Sequence, residues 1–188
     1  MLFESVMSGS SREEKIDYLI KKEDYSEAFN AIVDTYKERL YIHIRKIVII
    51  HDNTDDVLQN TFIKIWKHLK DFKGDSKIFT WIYRIATNEA ITYLNKLKKE
   101  KTIGLDGVEE YFGNLLDHDE YFDGDQAQLL LQKAILTLPE KQRLVFNMKY
   151  FDEMKYSDMS EILDVTEGGL KASYHIAVKK IEEFLKNN

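Results

Sequence analysis

The sequence predicts an all-α chain: two small helical domains joined by an acidic linker, the second containing a helix-turn-helix. Three observations predict it. Apolar residues recur at steps of three and four over long stretches, the period of a helix with one buried face. One proline and eight glycines punctuate 188 residues, a scarcity that suits long helices joined by few turns. No stretch alternates apolar and polar side chains as a half-buried strand does.

Residues 1–22 are polar and mixed, and read as an N-terminal extension rather than a domain. The first clear helix begins near Asp24, whose spacing to Glu27 is that of a capping box. Phe29, Ile32, Val33, Tyr36, Leu40, Ile44, Ile47 and Val48 carry its apolar face to about residue 50. "HDNTDD" ends that helix and starts the next, with Thr54 as the expected cap and Asp55 and Asp56 at the positive end of the helix dipole. Val57, Leu58, Thr61, Phe62, Ile65, Trp66 and Leu69 form its stripe. Gly74 breaks the chain, and a third helix from about Ser76 to Lys99 completes a first domain at 23–99.

Residues 100–126 lose the helical period and read as the linker. Helical pattern resumes over 127–188, with Pro139 well placed at a helix start. "KYSDMSEILDV" and "TEGGLKASYHIAVKKIEEFL" flank a tight turn at Asp164–Val165–Thr166. That order suits a helix-turn-helix; a plain three-helix bundle fits the same spacing.

The net charge of −6 is unevenly spread. Residues 100–126 carry nine acids against one lysine, while residues 64–99 carry nine Lys and Arg against three acids. A basic stripe therefore abuts an acidic linker, and such asymmetry points towards nucleic acid more than the total does. There is no cysteine, so no disulfide or thiol nucleophile is expected, and a reducing cytoplasm is compatible. The first fifteen residues have no basic n-region, and "IVII" at 47–50 is far too short to span a bilayer, so neither a secretory signal nor membrane insertion is expected. "DHDEYFDGD" lacks the glycine and terminal glutamate of a calcium loop. Nucleotide-binding, zinc-protease and serine-hydrolase motifs are absent too. The chain is expected to be no enzyme and to need no metal or cofactor.

The residues nearest to chemistry lie in "FKGDSKIFTWIYRIATNEA", from Phe72 to Ala90. At about 100° per residue, Ile78, Phe79, Ile82, Tyr83, Ile85, Ala86 and Ala90 share one buried arc. Lys77, Thr80, Arg84, Thr87 and Asn88 fall on the opposite face. Trp81 sits at the border. Glu89 falls inside the apolar arc, as it would if paired with a basic residue or placed at a domain edge. Cations neutralise phosphates, asparagine can pair with adenine, and a loop at a helix start offers free N–H groups. The loop of Phe72, Lys73, Gly74, Asp75, Ser76 and Lys77, with Trp81, Arg84 and Asn88, is thus a candidate holder of a single strand or an extruded base. A solvated basic face is the plainer alternative.

At this point "DDVLQNTFIKIWKHLKDFKGDSKIFTWIYRIATNEAITYLNK" resembles the second conserved region of bacterial RNA polymerase sigma factors of the extracytoplasmic-function group. "LPEKQRLVFNMKYFDEMKYSDMSEILDVTEGGLKASYHIAVKKIEEFL" resembles that group's fourth region. The resemblance implies a non-enzymatic subunit that binds core RNA polymerase and recognises promoter DNA, duplex near −35 and melted single strand near −10. It implies a polymerase surface at Asp55, Asp56, Gln59, Asn60, Ile63 and Trp66, and −10 contacts from the loop and helix face above. It implies −35 contacts from Glu167, Gly168, Lys171, Ser173, Tyr174, His175 and Lys179. The acidic linker stands where the family's peptide threads through the polymerase, and an anti-sigma protein is common in the group. The recognition helix departs from the pattern: Ser173, Ile176 and Val178 stand where the family has arginines. Residues 132–188 carry nine bases and nine acids, so weaker autonomous duplex binding is expected. Two other readings remain at this stage: a duplex-only helix-turn-helix regulator, and a helical adaptor.

Overall fold

The computed structural model describes residues 9–49, 51–100 and 126–187. Eight α-helices lie among them: α1 (Gly9–Lys21), α2 (Tyr25–Val48), α3 (His51–His68), α4 (Ile78–Glu100), α5 (Gln126–Leu136), α6 (Glu140–Tyr150), α7 (Tyr156–Leu163) and α8 (Glu167–Asn187). A 3-10 turn, Leu69–Asp71, follows α3. The described residues contain no strand, as the sequence pattern predicts. The acidic linker at 100–126 falls almost wholly outside the described residues.

The caps follow local chemistry. Asp24 accepts the Glu27 N–H at 3.2 Å and starts α2 as the capping-box spacing requires. Ile49 ends α2 in a left-handed conformation, φ 73°, with its N–H on the Arg45 carbonyl. That conformation is costly for a β-branched residue. α3 then begins at His51, before the expected cap, so Thr54 lies inside the helix and is buried. Pro139 immediately precedes α6.

Helix α1 occupies part of the stretch that sequence reading left as an extension. Ile16 is fully buried among the residues of the main core, and the Tyr36 hydroxyl donates to Glu13 at 2.9 Å. Burial and the Glu13 carboxylate push the Tyr36 hydroxyl's pKa well above its ordinary value. Shortening this anchor tests the docking. Ile16→Val is expected to cost about 1 kcal/mol, read from urea denaturation. An unchanged midpoint would mean α1 is not part of the core.

The second half of the chain does not stand apart from the first. Val145, Met148, Met154, Met159, Ile162 and Leu170 belong to the same buried cluster as Ile32, Tyr36, Ile44, Ile82 and Tyr83. A smaller core of Ala134, Ile135, Leu138, Phe146, Ala177 and Ile181 ties α5, α6 and α8 together. The two helical groups therefore meet along a seam formed by α2 and α4 on one side and α6 and α7 on the other.

Candidate nucleic-acid interface

Three surfaces carry the residues singled out in the sequence. The first is the outer face of α3. Asp55, Asp56, Gln59, Asn60, Ile63 and Trp66 are all exposed, while Val57, Leu58, Thr61 and Ile65 are buried. The helical period separates the two sets except at Trp66, which the apolar spacing places in the buried stripe and which the structure leaves 47% exposed at the stripe's edge. Ile63 and Trp66 are 49% and 47% exposed, an apolar pair at the end of a polar stripe. The Trp66 ring leans edge-on against Phe29, with centroids 5.2 Å apart, so one side is held and the other faces out.

The second surface is the loop before α4. Gly74 turns the chain at φ 79°, a region where a side chain would be strained. Phe72 and Trp81 are half-buried and pack on one another, centroids 5.2 Å apart. Trp81 thus supports the loop's base from the core edge. Lys73, Gly74, Asp75 and Lys77 are exposed, and Ser76 is half-buried. Asn88 is exposed one turn beyond Arg84. Glu89 is paired with Lys64 of α3, which accounts for an acid inside the apolar arc. Burial pushes the Tyr83 hydroxyl up to about 12.

The polar face of α4 is not open, and here the sequence reading needs correction. Thr80 and Thr87 were expected outside with Arg84; both are buried. α4 is covered on two sides, by α2 and α3 and by α7. Lys77 Nζ donates to Asp158 Oδ1 at 2.9 Å, and this bond and charge raise the lysine's pKa, with slight burial opposing. The Arg84 guanidinium donates to the Glu161 carbonyl oxygen.

Further along the seam lies a buried polar cluster. His43 Nδ1 meets Asp152 Oδ2 at 2.7 Å, His43 Nε2 meets Thr87 Oγ1 at 2.9 Å, and Lys46 Nζ donates to Asp152 Oδ1 at 3.1 Å. A carboxylate only accepts, so Nδ1 carries the proton. Burial opposes ionisation of Asp152, but His43 and Lys46 outweigh it and hold the carboxyl below its usual range. Asn147 donates to the Lys46 carbonyl at 3.2 Å, and Lys98 meets Glu140 at 2.6 Å. Sequence reasoning missed His43 and Asp152. Their only signal was a histidine on the apolar face of α2, and its partner lies 109 positions away.

The third surface is α7, its turn and α8. Asp164 is left-handed, φ 54°, and Thr166 Oγ1 accepts the Gly169 N–H at 3.2 Å, which starts α8. This is the short helix, tight turn and long helix expected. Glu167, Gly168, Lys171, His175 and Lys179 are exposed. Ser173 and Tyr174 are half-buried, and the Tyr174 ring stacks on Phe146 at 5.8 Å. Lys171 reaches Glu167 at 3.3 Å and lies over the Tyr156 ring.

The Sigma-70 region 2 family matches residues 32–100, and Sigma-70 region 4 matches residues 128–181. Over 178 residues the chain is 31% identical to the ECF RNA polymerase sigma factor SigW of Bacillus subtilis (strain 168), spanning 89% of this chain and 94% of that protein. The chain belongs to the ECF group of RNA polymerase sigma factors. The sigma factor is also 27% identical over 163 residues to the ECF RNA polymerase sigma-E factor of Escherichia coli (strain K12), covering 82% of this chain and 85% of that one. Two solved structures share its fold. CnrH in complex with the cytosolic domain of CnrY aligns with a TM-score of 0.67 at 18% identity, over 92% of this chain and 99% of that one. The sigma factor RpoE in complex with the anti-sigma factor NepR from Bartonella quintana aligns at 0.65 and 20% identity, over 84% and 96%. The protein is thus a promoter-recognising subunit of transcription initiation. Among the described residues, no helix is long and apolar enough to cross a membrane.

Proposed function

We propose a division of the promoter-recognition task among the three surfaces. The α3 stripe binds core RNA polymerase. The 72–77 loop with Arg84 and Asn88 holds the melted −10 strand. The exposed side of α8 enters the duplex at −35. The sigma factor performs no chemistry of its own and acts in the cytoplasm, where polymerase and promoter meet. The observation that carries this reading is the separation of α3 into a buried apolar face and a wholly exposed stripe ending in Ile63 and Trp66. A basic loop beside an exposed asparagine, and a recognition helix with a free outer side, supply the two nucleic-acid surfaces.

An inhibitory protein partner fits the same reading. The solved neighbours named above are bound to the cytosolic domain of CnrY and to the anti-sigma factor NepR. By analogy, a partner of that kind would act on this chain by keeping the α3 and α4 surfaces from polymerase and promoter.

The test is transcription in vitro with core polymerase on promoters selected from a random library. Asn88→Ala is expected to relax base preference at one −10 position by about fivefold, the worth of one ordinary hydrogen bond. Unchanged preference would remove Asn88 from the strand site. Lys77→Ala is expected to flatten the salt dependence of open-complex binding by about 0.7 in the log–log slope, the loss of one single-strand phosphate contact. An unaltered slope would show that Lys77 makes no phosphate contact in the complex.

A further inference from the structure

The outward side of α8 includes residues that the family pattern does not pick out as DNA contacts. Leu170, Ala177 and Ile181 are buried, and Tyr174 stacks on Phe146 between them. At about 100° per residue, the opposite side carries Gly168, Ala172, His175, Ile176 and Lys179, and all five are exposed. Ala172 and Ile176 lie one turn apart near the middle of that face, and Ile176 is 44% exposed. The helices that pack on α8, namely α5, α6 and α7, do so from the other side. Lys171, His175 and Lys179 border the apolar pair, so the face is a small hydrophobic patch with a cationic margin.

We propose that Ala172 and Ile176 are specificity-determining residues that read thymine in the upstream duplex. This rests on the reading of α8 as the −35 recognition helix. In the major groove only thymine presents a methyl group, and apolar side chains contact it. Isoleucine can offer nothing to the polar edges of guanine, cytosine or adenine, and covering those edges leaves them unpaired. Thymine is therefore favoured twice, by the contact it makes and by the penalty on its competitors. The flanking lysines act on phosphates, which position the helix without reading sequence. This answers how a recognition helix without arginine can still select a site: it reads methyl groups where an arginine would read guanine.

The experiment uses the sigma factor bound to core polymerase, on promoters whose upstream thymines are replaced one at a time by uracil. The exchange removes only the C5 methyl. Wild type is expected to lose about three- to fivefold in promoter affinity at one or two positions, the size of one buried methyl-like group. Ile176→Ala should abolish the methyl effect at one of them, and Ile176→Arg should move the preference there to guanine. Ile176 is exposed, so both variants should keep the wild-type melting curve, which is recorded alongside. A uracil scan that is the same for wild type and Ile176→Ala overturns the proposal. Scrambling the upstream duplex separates the two levels. If scrambling abolishes binding while the uracil scan is flat, only the methyl reading fails. If scrambling changes nothing, the assignment of α8 to the −35 element fails and the proposal falls with it.

Discussion

Trp66→Ala is expected to weaken binding to core polymerase by about thirtyfold or more, with little change in the stability of the free sigma factor. The ring is half exposed and rests on Phe29 by an edge contact, so its removal opens no deep cavity. Tryptophans at the centre of interfaces commonly carry 2 kcal/mol or more of binding energy, because they are large, rigid and fully desolvated by the partner. Ile63, one turn earlier, extends the same apolar contact, and Gln59 and Asn60 supply a polar border. Competition binding against labelled wild-type sigma factor measures the effect. The control is Lys67→Ala, exposed on the same helix next to the patch. Equal affinities for wild type and Trp66→Ala would remove α3 from the polymerase interface.

Asp152→Ala is expected to loosen the seam by about 3–5 kcal/mol, the usual cost of removing one member of a buried ion pair. The carboxylate is the shared acceptor for His43 and Lys46, and His43 is 1% exposed, so its Nδ1 proton would be left without a partner in a dry site. The readout is hydrogen exchange. Amides of α7 and of the middle of α4 should lose protection, while the α5–α6–α8 core around Phe146 keeps it. Equal protection across the seam in both proteins would show that the cluster does not hold the groups together.

The same group gives the seam an acid limit with a definite sign. Asp152's carboxyl is depressed below its ordinary value of 3.8 when the seam is closed. Its contribution is therefore full above that ordinary value and lost as pH falls through the depressed one. Asp152→Asn should keep a weaker seam whose stability lacks this acid-dependent part. The difference between wild type and Asp152→Asn, measured from pH 6 downward, isolates it from the other carboxylates.

Much of this arrangement was legible in the chain because single helices report their own faces. The buried face of α3 followed from period, except that Trp66 was counted in it. The exposed stripe came through the family resemblance, and the loop at Gly74 and the turn at Asp164 from their turn-forming residues. What escaped depended on a second helix. Thr80 and Thr87 look solvent-facing on any wheel that allows α4 one buried side, but α4 is packed on more than one side, by α2, α3 and α7, and Thr87 meets His43 of α2. α1 offers only Ile16, Leu19 and Ile20 as apolar anchors, and its reason for being helical lies in Tyr36 and the core beneath it. Ser173 and Tyr174 were selected through the family pattern. In the structure Tyr174 lies on the side of Leu170, Ala177 and Ile181, half-buried against Phe146.

The closed seam also sets the terms of a competition. The Lys77 ammonium and the Arg84 guanidinium each commit a donor to α7, so a strand phosphate held by them would share those groups with Asp158 and the Glu161 carbonyl. On the proposed assignment of these residues to the melted strand, the strand would compete with the protein's own α7 for them. The apparent affinity of the free chain for single strand equals the intrinsic one multiplied by the open fraction. If closure is worth about 3 kcal/mol, fewer than about one molecule in a hundred is competent at a given moment. On the same proposal, core polymerase would license strand capture without touching the strand. By binding the α3 face and holding α8 upstream on duplex, it would favour the separated arrangement and return the withheld affinity to the promoter.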